Sequence, residues 1–212
     1  MKLLVTAGAT REPLDAVRFL ANISTGATGA ALADALTVRG HEVSLLRGTG
    51  SVQPRTLRDT EVFSSAEDLA ARLRRRLGTG AIGAVIMNAA VADYRPAVCR
   101  PDKITSDAAE LTVRLVRNEK ILMQLKAFSP RPLLVVGFKL TVGADAAARQ
   151  AAVAAQLAAG GVDAVVLNDL DEINKAAVHP FWLYRHAGGP PAKVAGVDAL
   201  AEALDQWLRE AR

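Results

Sequence analysis

The stretch KLLVTAGATREPLDAVRFLANISTGATGAALADALTV, residues 2–38, decides the fold class. It opens with a short apolar run, Lys2–Thr6, which predicts a buried β-strand. The Ala- and Leu-rich segment Ala27–Val38 follows and predicts a helix that ends at Gly40, because glycine commonly terminates helices. A strand followed by a helix is half of a β-α-β unit, and repeated units of this kind build parallel sheets covered by helices on both faces.

The same alternation continues along the chain. Further strands are predicted at Glu42–Leu46, Glu61–Phe63, Ala84–Met87, Leu111–Val116, Leu133–Val136 and Ala164–Leu167, and further helices at Ala66–Leu77, Glu119–Ala127, Asp145–Ala159 and Ala199–Arg209. Phe181–Tyr184 and Lys193–Val194 predict a hairpin around Gly188–Pro191. The expected helix caps are Ser24 or Thr25, Ser64 or Ser65, and Asp198. We therefore expect one Rossmann-like, three-layer α/β domain over residues 1–212, with a mostly parallel sheet and a small antiparallel addition near the C-terminus.

The composition excludes several classes of protein. Half of the 212 residues are hydrophobic and the net charge is +4, which excludes a disordered chain. A single cysteine, Cys99, excludes a disulfide scaffold and a multi-cysteine metal site. Aromatic residues make up only 4%, which argues against a nucleic-acid surface. No apolar run approaches the ~18 residues of a membrane span, and the first run is too short for a signal peptide. We expect a cytoplasmic protein without nucleic-acid or membrane partners.

Glycine, small and polar residues follow four of the predicted strands. These segments are Gly8–Asp15, Asn88–Tyr94, Gly137–Lys139 and Asn168–Asp169. The carboxyl ends of parallel strands meet at one edge of a sheet, and ligands of open α/β folds bind there. The four segments therefore predict a shared ligand site.

The segment before the first helix has the chemistry of a phosphate site. Ser24 and Gly26 lie where free backbone amides and the positive end of the helix dipole would face an anion. The long insert before them carries Arg11 and Arg18. These arginines could bind phosphate or carboxylate in bidentate fashion, or pair with the acidic residues of the same insert.

Two charged residues further along the chain suit a nucleotide. Asp93 could hold ribose hydroxyls, a base amino group or magnesium, and a turn cap is its structural alternative. Lys103 lies in a polar segment that could close over a nucleotide and neutralise charge on its phosphates, with a solvated lysine as the alternative. The three histidines lack the spacing of metal ligands, so structural or solvent-facing roles are expected for His41, His179 and His186.

An NAD(P)-binding oxidoreductase is an alternative, because TGATG at residues 25–29 is similar to a dinucleotide-binding loop. Its position argues against this function, since such a loop directly follows its strand and here a long insert separates it from Thr6. The acidic residue expected after the second strand is also missing. Arg47, which stands there, could imitate a residue that binds a 2′-phosphate, so the alternative stays open.

Taken in order, the motifs resemble those of phosphopantothenoylcysteine synthetase in its free-standing bacterial form. They are TAGATREPLD (6–15), VRF (17–19), NISTG (22–26), AAVADY (89–94), KI (103–104), VGFKL (136–140) and ND (168–169). The resemblance implies a two-step ligation in coenzyme A synthesis. The carboxylate of 4′-phosphopantothenate attacks the α-phosphate of CTP in the presence of Mg²⁺, giving an acyl-cytidylate and pyrophosphate. The amine of L-cysteine then displaces CMP and forms the amide.

The resemblance also implies roles for individual residues. Asn22, which stabilises the acyl-cytidylate, and the flap lysine Lys103 are the expected catalytic residues. The expected nucleotide-binding residues are Gly8, Ser24, Gly26, Met87, Asn88, Ala89, Asp93, Lys103, Ile121, Leu122, Phe138 and Lys139. Arg11, Arg18 and Asn22 are expected at the substrate phosphate or carboxylate. Mg²⁺ is expected to be bound mainly through the triphosphate.

The chain departs from the family pattern mildly at Ala9 and Thr25, which replace the usual glycine and serine, and more seriously at two further places. Ala151 and Ala155 stand where fused bacterial members carry two lysines that point at the triphosphate, and we hypothesise that Lys139 supplies the missing charge. Glu119–Leu122 stands where the family usually has Pro-Asp-Ile-Val. The lost lysines leave open whether CTP or ATP is used, and leave a catalytically impaired nucleotide-binding relative as a further alternative. The family implies a homodimer and a separate decarboxylase as a possible partner, and no flavin is expected.

Overall fold

A computed structural model describes residues 1–186 and 189–211. Its strands are β1 (Lys2–Ala7), β2 (Arg11–Pro13), β3 (Phe19–Ala21), β4 (Glu42–Gly48), β5 (Thr60–Phe63), β6 (Ala84–Met87), β7 (Tyr94–Pro96), β8 (Leu115–Arg117), β9 (Leu134–Thr141), β10 (Ala164–Asp169), β11 (Pro180–Arg185) and β12 (Ala192–Ala195). Its helices are α1 (Ala27–Val38), α2 (Ala66–Leu77), α3 (Ile121–Gln124), α4 (Ala146–Ala158), α5 (Leu170–Lys175) and α6 (Gly196–Glu210), and a 3₁₀ turn at Leu125–Phe128 follows α3.

Eight of these strands form one sheet in the order β12-β11-β10-β9-β6-β1-β4-β5. All pairs from β5 to β10 are parallel, whereas β10-β11 and β11-β12 are antiparallel. Counted along the chain, the parallel strands have the 3-2-1-4-5-6 order of doubly wound folds, which bind ligands where the order reverses. Here the reversal lies between β1 and β6, so the topology points to a site at their carboxyl ends. The predicted fold class is confirmed.

One apolar cluster on each face of the sheet anchors the helices. Leu3 and Leu4 of β1 belong to opposite clusters, because successive side chains of a strand point to opposite faces. The cluster around Leu3 includes Leu36 of α1 and Leu204 of α6, and the cluster around Leu4 includes Leu69 of α2. Burying each such leucine contributes roughly 1.5–3 kcal/mol. These contacts hold the strand ends in fixed positions relative to the helices.

Two predicted elements are much shorter in the structure. The strand predicted at Leu111–Val116 is wrong over most of its length, since only Leu115–Arg117 is extended and it pairs with β7 in a separate two-stranded sheet. Leu111 is exposed, so no burial holds the preceding residues in a ladder. The helix predicted at Glu119–Ala127 is α-helical only from Ile121 to Gln124 and then tightens into the 3₁₀ turn. Within the described residues no helix is long and apolar enough to cross a membrane.

The predicted caps of the first and last helices are wrong. Neither Ser24 nor Thr25 is the N-cap of α1, because Gly26 occupies that position with a φ of 77° and makes no side-chain cap. Asp198 does not cap α6, which begins at Gly196. Asp198 lies instead in the first turn, where a negative charge interacts favourably with the helix dipole.

The predicted cap of α2 and the predicted C-terminal hairpin both agree with the structure. Ser65 caps α2 by accepting a hydrogen bond from the Asp68 amide, as expected for Ser64 or Ser65. The predicted antiparallel hairpin is confirmed, because Phe181 pairs with Val194 in the β11-β12 ladder. Part of its predicted turn, residue 188, lies outside the described residues.

Candidate active site

A cleft opens beyond the carboxyl ends of β6, β9 and β10, at the edge of the sheet where the strand order reverses. It has two adjoining lobes, and the residues that line both are Ile23, Ala89, Ala90, Phe138, Leu140 and Leu170. The α3 lobe, about 620 Å³, lies against the start of α3, and the α1 lobe, about 570 Å³, lies against the start of α1. Both volumes fall within the range of small-molecule sites.

Hydrogen bonds join the segment after β6 to the segment after β1. The Ala90 amide donates to the Gly8 carbonyl at 2.8 Å, and the Thr10 amide donates to the Ala90 carbonyl at 3.2 Å. The hydroxyls of Thr6 and Thr10 accept from the amides of Ala89 and Ala92, each at 3.0 Å. The small residues of the AAVADY motif allow this close approach, which brings two sequence-distant segments to one cleft.

Two glycines set the position of the α1 N-terminus. Gly8 and Gly26 both have positive φ angles, 79° and 77°, which side chains rarely adopt. A Cβ on Gly26 would lie 2.9 Å from Ser51 Cβ and 3.0 Å from the Gly8 nitrogen. The loop after β4 therefore packs on both glycines. Gly26 still lines the α1 lobe, whereas Gly8 is buried behind it against Ser51.

The cleft brings together most of the residues expected at a nucleotide. The α3 lobe is lined by Asn22, Met87, Ala89, Asp93, Ile121, Leu122, Phe138 and Lys139. The α1 lobe is lined by Ser24, Gly26 and Asn88, and again by Ala89 and Phe138. Asn22 is held by a hydrogen bond of 3.3 Å from its amide nitrogen to the Val91 carbonyl. Four separate segments of the chain thus contribute to one cavity.

Four expected site residues do not line either lobe: Gly8, Arg11, Arg18 and Lys103. The Arg18 guanidinium pairs with Asp15 at 2.8 Å and also donates to the Ile104 carbonyl at 3.1 Å. The Arg11 guanidinium lies over the ring of Phe19, 4.5 Å from its centroid. For Arg18, the structure shows the pairing with an acidic residue of the same insert that the sequence left open.

Asp15 connects this insert to the segment that carries Lys103. The Ile104 amide donates to Asp15 Oδ2 at 3.1 Å, and the Val17 amide donates to Oδ1 at 2.9 Å. Burial acts to raise the pKa of Asp15, but these hydrogen bonds and the Arg18 charge hold it below its usual value. Asp15 therefore stays ionised and keeps the backbone beside Lys103 attached to the insert, while Lys103 itself is exposed.

Lys120 lines the α3 lobe and was not singled out from the sequence. Its Nζ lies 2.5 Å from Asp93 Oδ1, and both side chains are largely exposed. An exposed pair of this kind contributes little stability, typically about 0–1 kcal/mol, so a ligand can separate it at small cost. The sequence feature that could have indicated Lys120 is its place in Glu119–Leu122, the segment where phosphopantothenoylcysteine synthetases usually have Pro-Asp-Ile-Val.

Gln156 of α4 is a second lining residue that sequence reasoning missed. Its Nε2 is buried without a hydrogen-bond partner. A Cβ on Gly137 would lie 2.4 Å from this nitrogen, so the glycine in β9 leaves the space that the end of the Gln156 side chain occupies. Gly137 and Gln156 are 19 residues apart in the sequence, so no local pattern predicts this contact.

Asp169 fixes the rim of the cleft at the end of β10. Its fully buried carboxylate accepts from the Thr141 hydroxyl at 2.7 Å, and from the amides of Gly143, Ala144 and Asp171 at 3.1–3.2 Å. Burial acts to raise the pKa of Asp169, but these donors and the nearby Arg149 guanidinium lower it from 3.8 to about 2. One side chain thus ties the loop after β9 to the start of α5.

Within residues 1–186 and 189–211, no group of three or more His, Cys, Asp and Glu side chains is arranged to hold a metal ion. The carboxylates that line the cleft are Asp93 and Glu119, both in the α3 lobe. Either could contact a cation that is carried in by an anionic ligand.

Comparison with known proteins assigns the family. The model of the DNA/pantothenate metabolism flavoprotein C-terminal domain matches residues 1–181. The coenzyme A biosynthesis bifunctional protein CoaBC of Escherichia coli K12 is 34% identical over 194 residues, which cover 86% of this chain and 46% of that protein. The chain therefore spans about half the length of the curated relatives it matches.

Solved structures show the same fold. The DNA/pantothenate metabolism flavoprotein from Streptococcus pneumoniae superposes with a TM-score of 0.87 at 24% identity, covering 100% of both chains. The crystal structure of the C-terminal domain of CoaBC superposes with a TM-score of 0.77 at 26% identity, covering 99% of this chain and 95% of that one. The doubly wound strand order agrees with the family match. Because the family model matches residues 1–181, the chain belongs to the DNA/pantothenate metabolism flavoprotein C-terminal domain family.

Proposed function

We propose that this protein is a ligase that joins 4′-phosphopantothenate and L-cysteine to give 4′-phosphopantothenoylcysteine in coenzyme A biosynthesis. The observation that carries the proposal is that Asn22, Asp93, Phe138 and Lys139, from three separate motifs, line one cavity. The relatives named for coenzyme A biosynthesis support it. We also propose that residues 1–212 act as one domain, because α6 packs on the same core as α1.

The first step activates the carboxylate of 4′-phosphopantothenate. A carboxylate oxygen attacks the α-phosphorus of the nucleoside triphosphate, a new C–O–P linkage forms, and the bond to the β-phosphate breaks as pyrophosphate leaves. The N-terminus of α1, with Gly26 at the cleft wall, suits a phosphate group. Lys139 in the α3 lobe and Lys103 on its exposed segment are the cations proposed to offset the charge. Mg²⁺ enters as part of the nucleotide co-substrate.

The second step forms the amide. The cysteine nitrogen attacks the acyl carbonyl, a C–N bond forms, and the nucleoside monophosphate leaves with the electrons of the C–O bond. Asn22 has one amide hydrogen on the Val91 carbonyl, and an amide carries two donors and an acceptor. Its remaining groups are proposed to hold the acyl-nucleotide. Positioning of the reactants, rather than a covalent nucleophile on the protein, supplies the catalysis.

The proposal is tested by measuring pyrophosphate release with 4′-phosphopantothenate, cysteine, Mg²⁺ and either CTP or ATP. We propose CTP as the nucleotide, and initial rates with the two nucleotides decide between them. A ligase releases pyrophosphate only when the acyl substrate and a nucleotide are both present. An NAD(P)-binding oxidoreductase would release none, and a catalytically impaired relative would bind the nucleotide without turnover. Either result would contradict the proposal.

Replacing Lys139 with alanine is expected to raise the nucleotide KM roughly tenfold or more, since a hydrogen bond to a charged group contributes roughly 1.5–3 kcal/mol. Lys139→Arg should retain most of the affinity because it keeps the charge. Lys126→Ala is the matched control, since Lys126 pairs with Asp163 at the opposite edge of the sheet. Steady-state kinetics measures all three, and an unchanged KM and kcat in Lys139→Ala would remove this lysine from the site.

We propose that the protein forms a homodimer through its two small sheets. Large apolar side chains are exposed on β2-β3, on β7-β8 and on the segment after β3; they are Phe19, Leu20, Ile23, Tyr94 and Leu115. Contiguous exposed apolar surface commonly marks a protein–protein interface. Ile23 also lines the cleft, so a second subunit docked here would lie beside the site. The molar mass in solution, measured by light scattering, tests this.

A further inference from the structure

His179 lies in the cleft and takes no part in the steps proposed so far. It precedes β11 and lines the α1 lobe together with Phe138 and Asn168. Its ring stacks on Phe181, with centroids 4.1 Å apart and an interplanar angle of 13°. Its Nε2 lies 3.1 Å from the side-chain amide of Asn168. The imidazole is therefore held on one face and along one edge.

Asn168 can hold the neutral ring in either of its two tautomers. When its amide nitrogen faces Nε2 of His179, this ring nitrogen accepts the hydrogen bond. After a half-turn of the amide, the carbonyl oxygen faces Nε2, which then donates and leaves a lone pair on Nδ1. Only in this second orientation does the partnership leave a ring nitrogen, Nδ1, available for a proton. An oriented histidine of this kind is the arrangement that general bases require.

His179 is the only titratable side chain among the described residues that line the α1 lobe. The elements around it carry these charged groups: Asp169 of β10, Asp171, Glu172 and Lys175 of α5, Lys139 of β9, Arg185 of β11, Lys193 of β12, and Asp198, Glu202, Asp205, Arg209 and Glu210 of α6. Within the described part of the chain, none of them forms an ion pair with the ring. Burial lowers the pKa of His179, so the imidazole is neutral at pH 7 and can accept a proton.

The second ligation step needs a proton acceptor, because an ammonium group has no lone pair with which to attack a carbonyl. In the α3 lobe, Asp93 is already paired with Lys120, and the other ionisable side chains are Glu119 and Lys139. We propose that His179 accepts the proton that the α-ammonium of cysteine loses as its nitrogen attacks the acyl-nucleotide. The C–N bond forms, the C–O bond to the leaving phosphate breaks, and the proton passes from the imidazole to solvent. This inference rests on the proposed function.

The test separates the two half-reactions in His179→Gln. Acyl-nucleotide formation, measured as exchange of labelled pyrophosphate into the triphosphate without cysteine, should match the unmodified protein. Amide formation with cysteine should fall about 100-fold, as expected on loss of a general base, and the imidazole-dependent limb of its pH profile should disappear. Hydroxylamine is largely unprotonated at neutral pH and needs no base, so its capture of the acyl-nucleotide should be unaffected.

Two further variants control for structural effects. His186→Gln alters the exposed histidine beyond β11 and should leave both half-reactions unchanged. Asn168→Ala removes the partner of the ring and should lower amide formation less than the loss of His179. If His179→Gln forms the amide at the normal rate across the pH range, or loses hydroxylamine capture equally, the inference is wrong. If the unmodified protein releases no pyrophosphate with any nucleotide, the proposed function fails instead.

Discussion

Replacing Asn22 with alanine is expected to reduce amide formation about 100-fold to 1,000-fold, the loss found when one preorganised donor to a reacting group is removed. Asn22 lies in the α3 lobe, with the Val91 carbonyl as its hydrogen-bond partner. The variant loses the neutral amide that is proposed to hold the acyl-nucleotide. Asn22→Asp should be impaired at least as strongly, because its carboxylate would repel the phosphate. Single-turnover measurement of the product amide checks both variants.

Nucleotide binding should be largely retained in Asn22→Ala, since Asp93, Phe138 and Lys139 still line the lobe. Equilibrium titration with the nucleotide alone gives this control. Asn174→Ala, at an exposed asparagine of α5, is the matched substitution and should behave like the unmodified protein. Normal amide formation by Asn22→Ala would show that this residue does not act on the intermediate.

Replacing Asp169 with asparagine is expected to lower the free energy of unfolding by roughly 2–3 kcal/mol, because buried donors lose a charged acceptor. Asparagine keeps one oxygen and places an amide group, itself a donor, where the second carboxylate oxygen accepts from Thr141 and Ala144. Arg149, whose guanidinium lies 3.6 Å from the carboxylate, also loses a counter-charge. Chemical denaturation at pH 7 measures the change.

The pH dependence provides an independent check of Asp169. The pKa of this group falls from 3.8 to about 2 on folding, so the stability it contributes is complete above pH 4 and is lost as the pH falls towards 2. The difference in stability between the two proteins should shrink across that range. Asp145→Asn is the control, because asparagine is an equally good N-cap for α4 and should cost little. A constant difference from pH 7 to pH 2 would contradict the assignment.

Much of the fold was predictable because its signals are local. Strands such as Ala84–Met87 are buried on both faces of a parallel sheet and appear as continuous apolar runs. The position of the cleft was predictable for the same reason, since glycine, small and polar residues directly follow these runs. The family motifs then indicated Asn22, Asp93 and Phe138, and the structure places all three on one cavity.

The features that sequence reasoning missed depend on contacts between distant segments. Gly26, rather than Ser24 or Thr25, is the N-cap of α1, because the loop after β4 packs Ser51 against it. His179 has no neighbour in sequence that suggests a cleft. It reaches the α1 lobe because β11 pairs antiparallel with β10 and places it beside Asn168.

The amino-acid sequence alone determined the order along the chain of the strands in the large sheet and of the longer helices, the parallel class of the sheet and the edge at which a ligand would bind. Each of these follows from hydrophobic periodicity and from residues adjacent along the chain. Only the tertiary structure decided that Lys120 pairs with Asp93, that the Ile104 amide donates to Asp15, and that His179 faces the cleft. Loop packing and strand pairing set those positions, since the interactions join residues whose distance in space bears no relation to their distance in sequence.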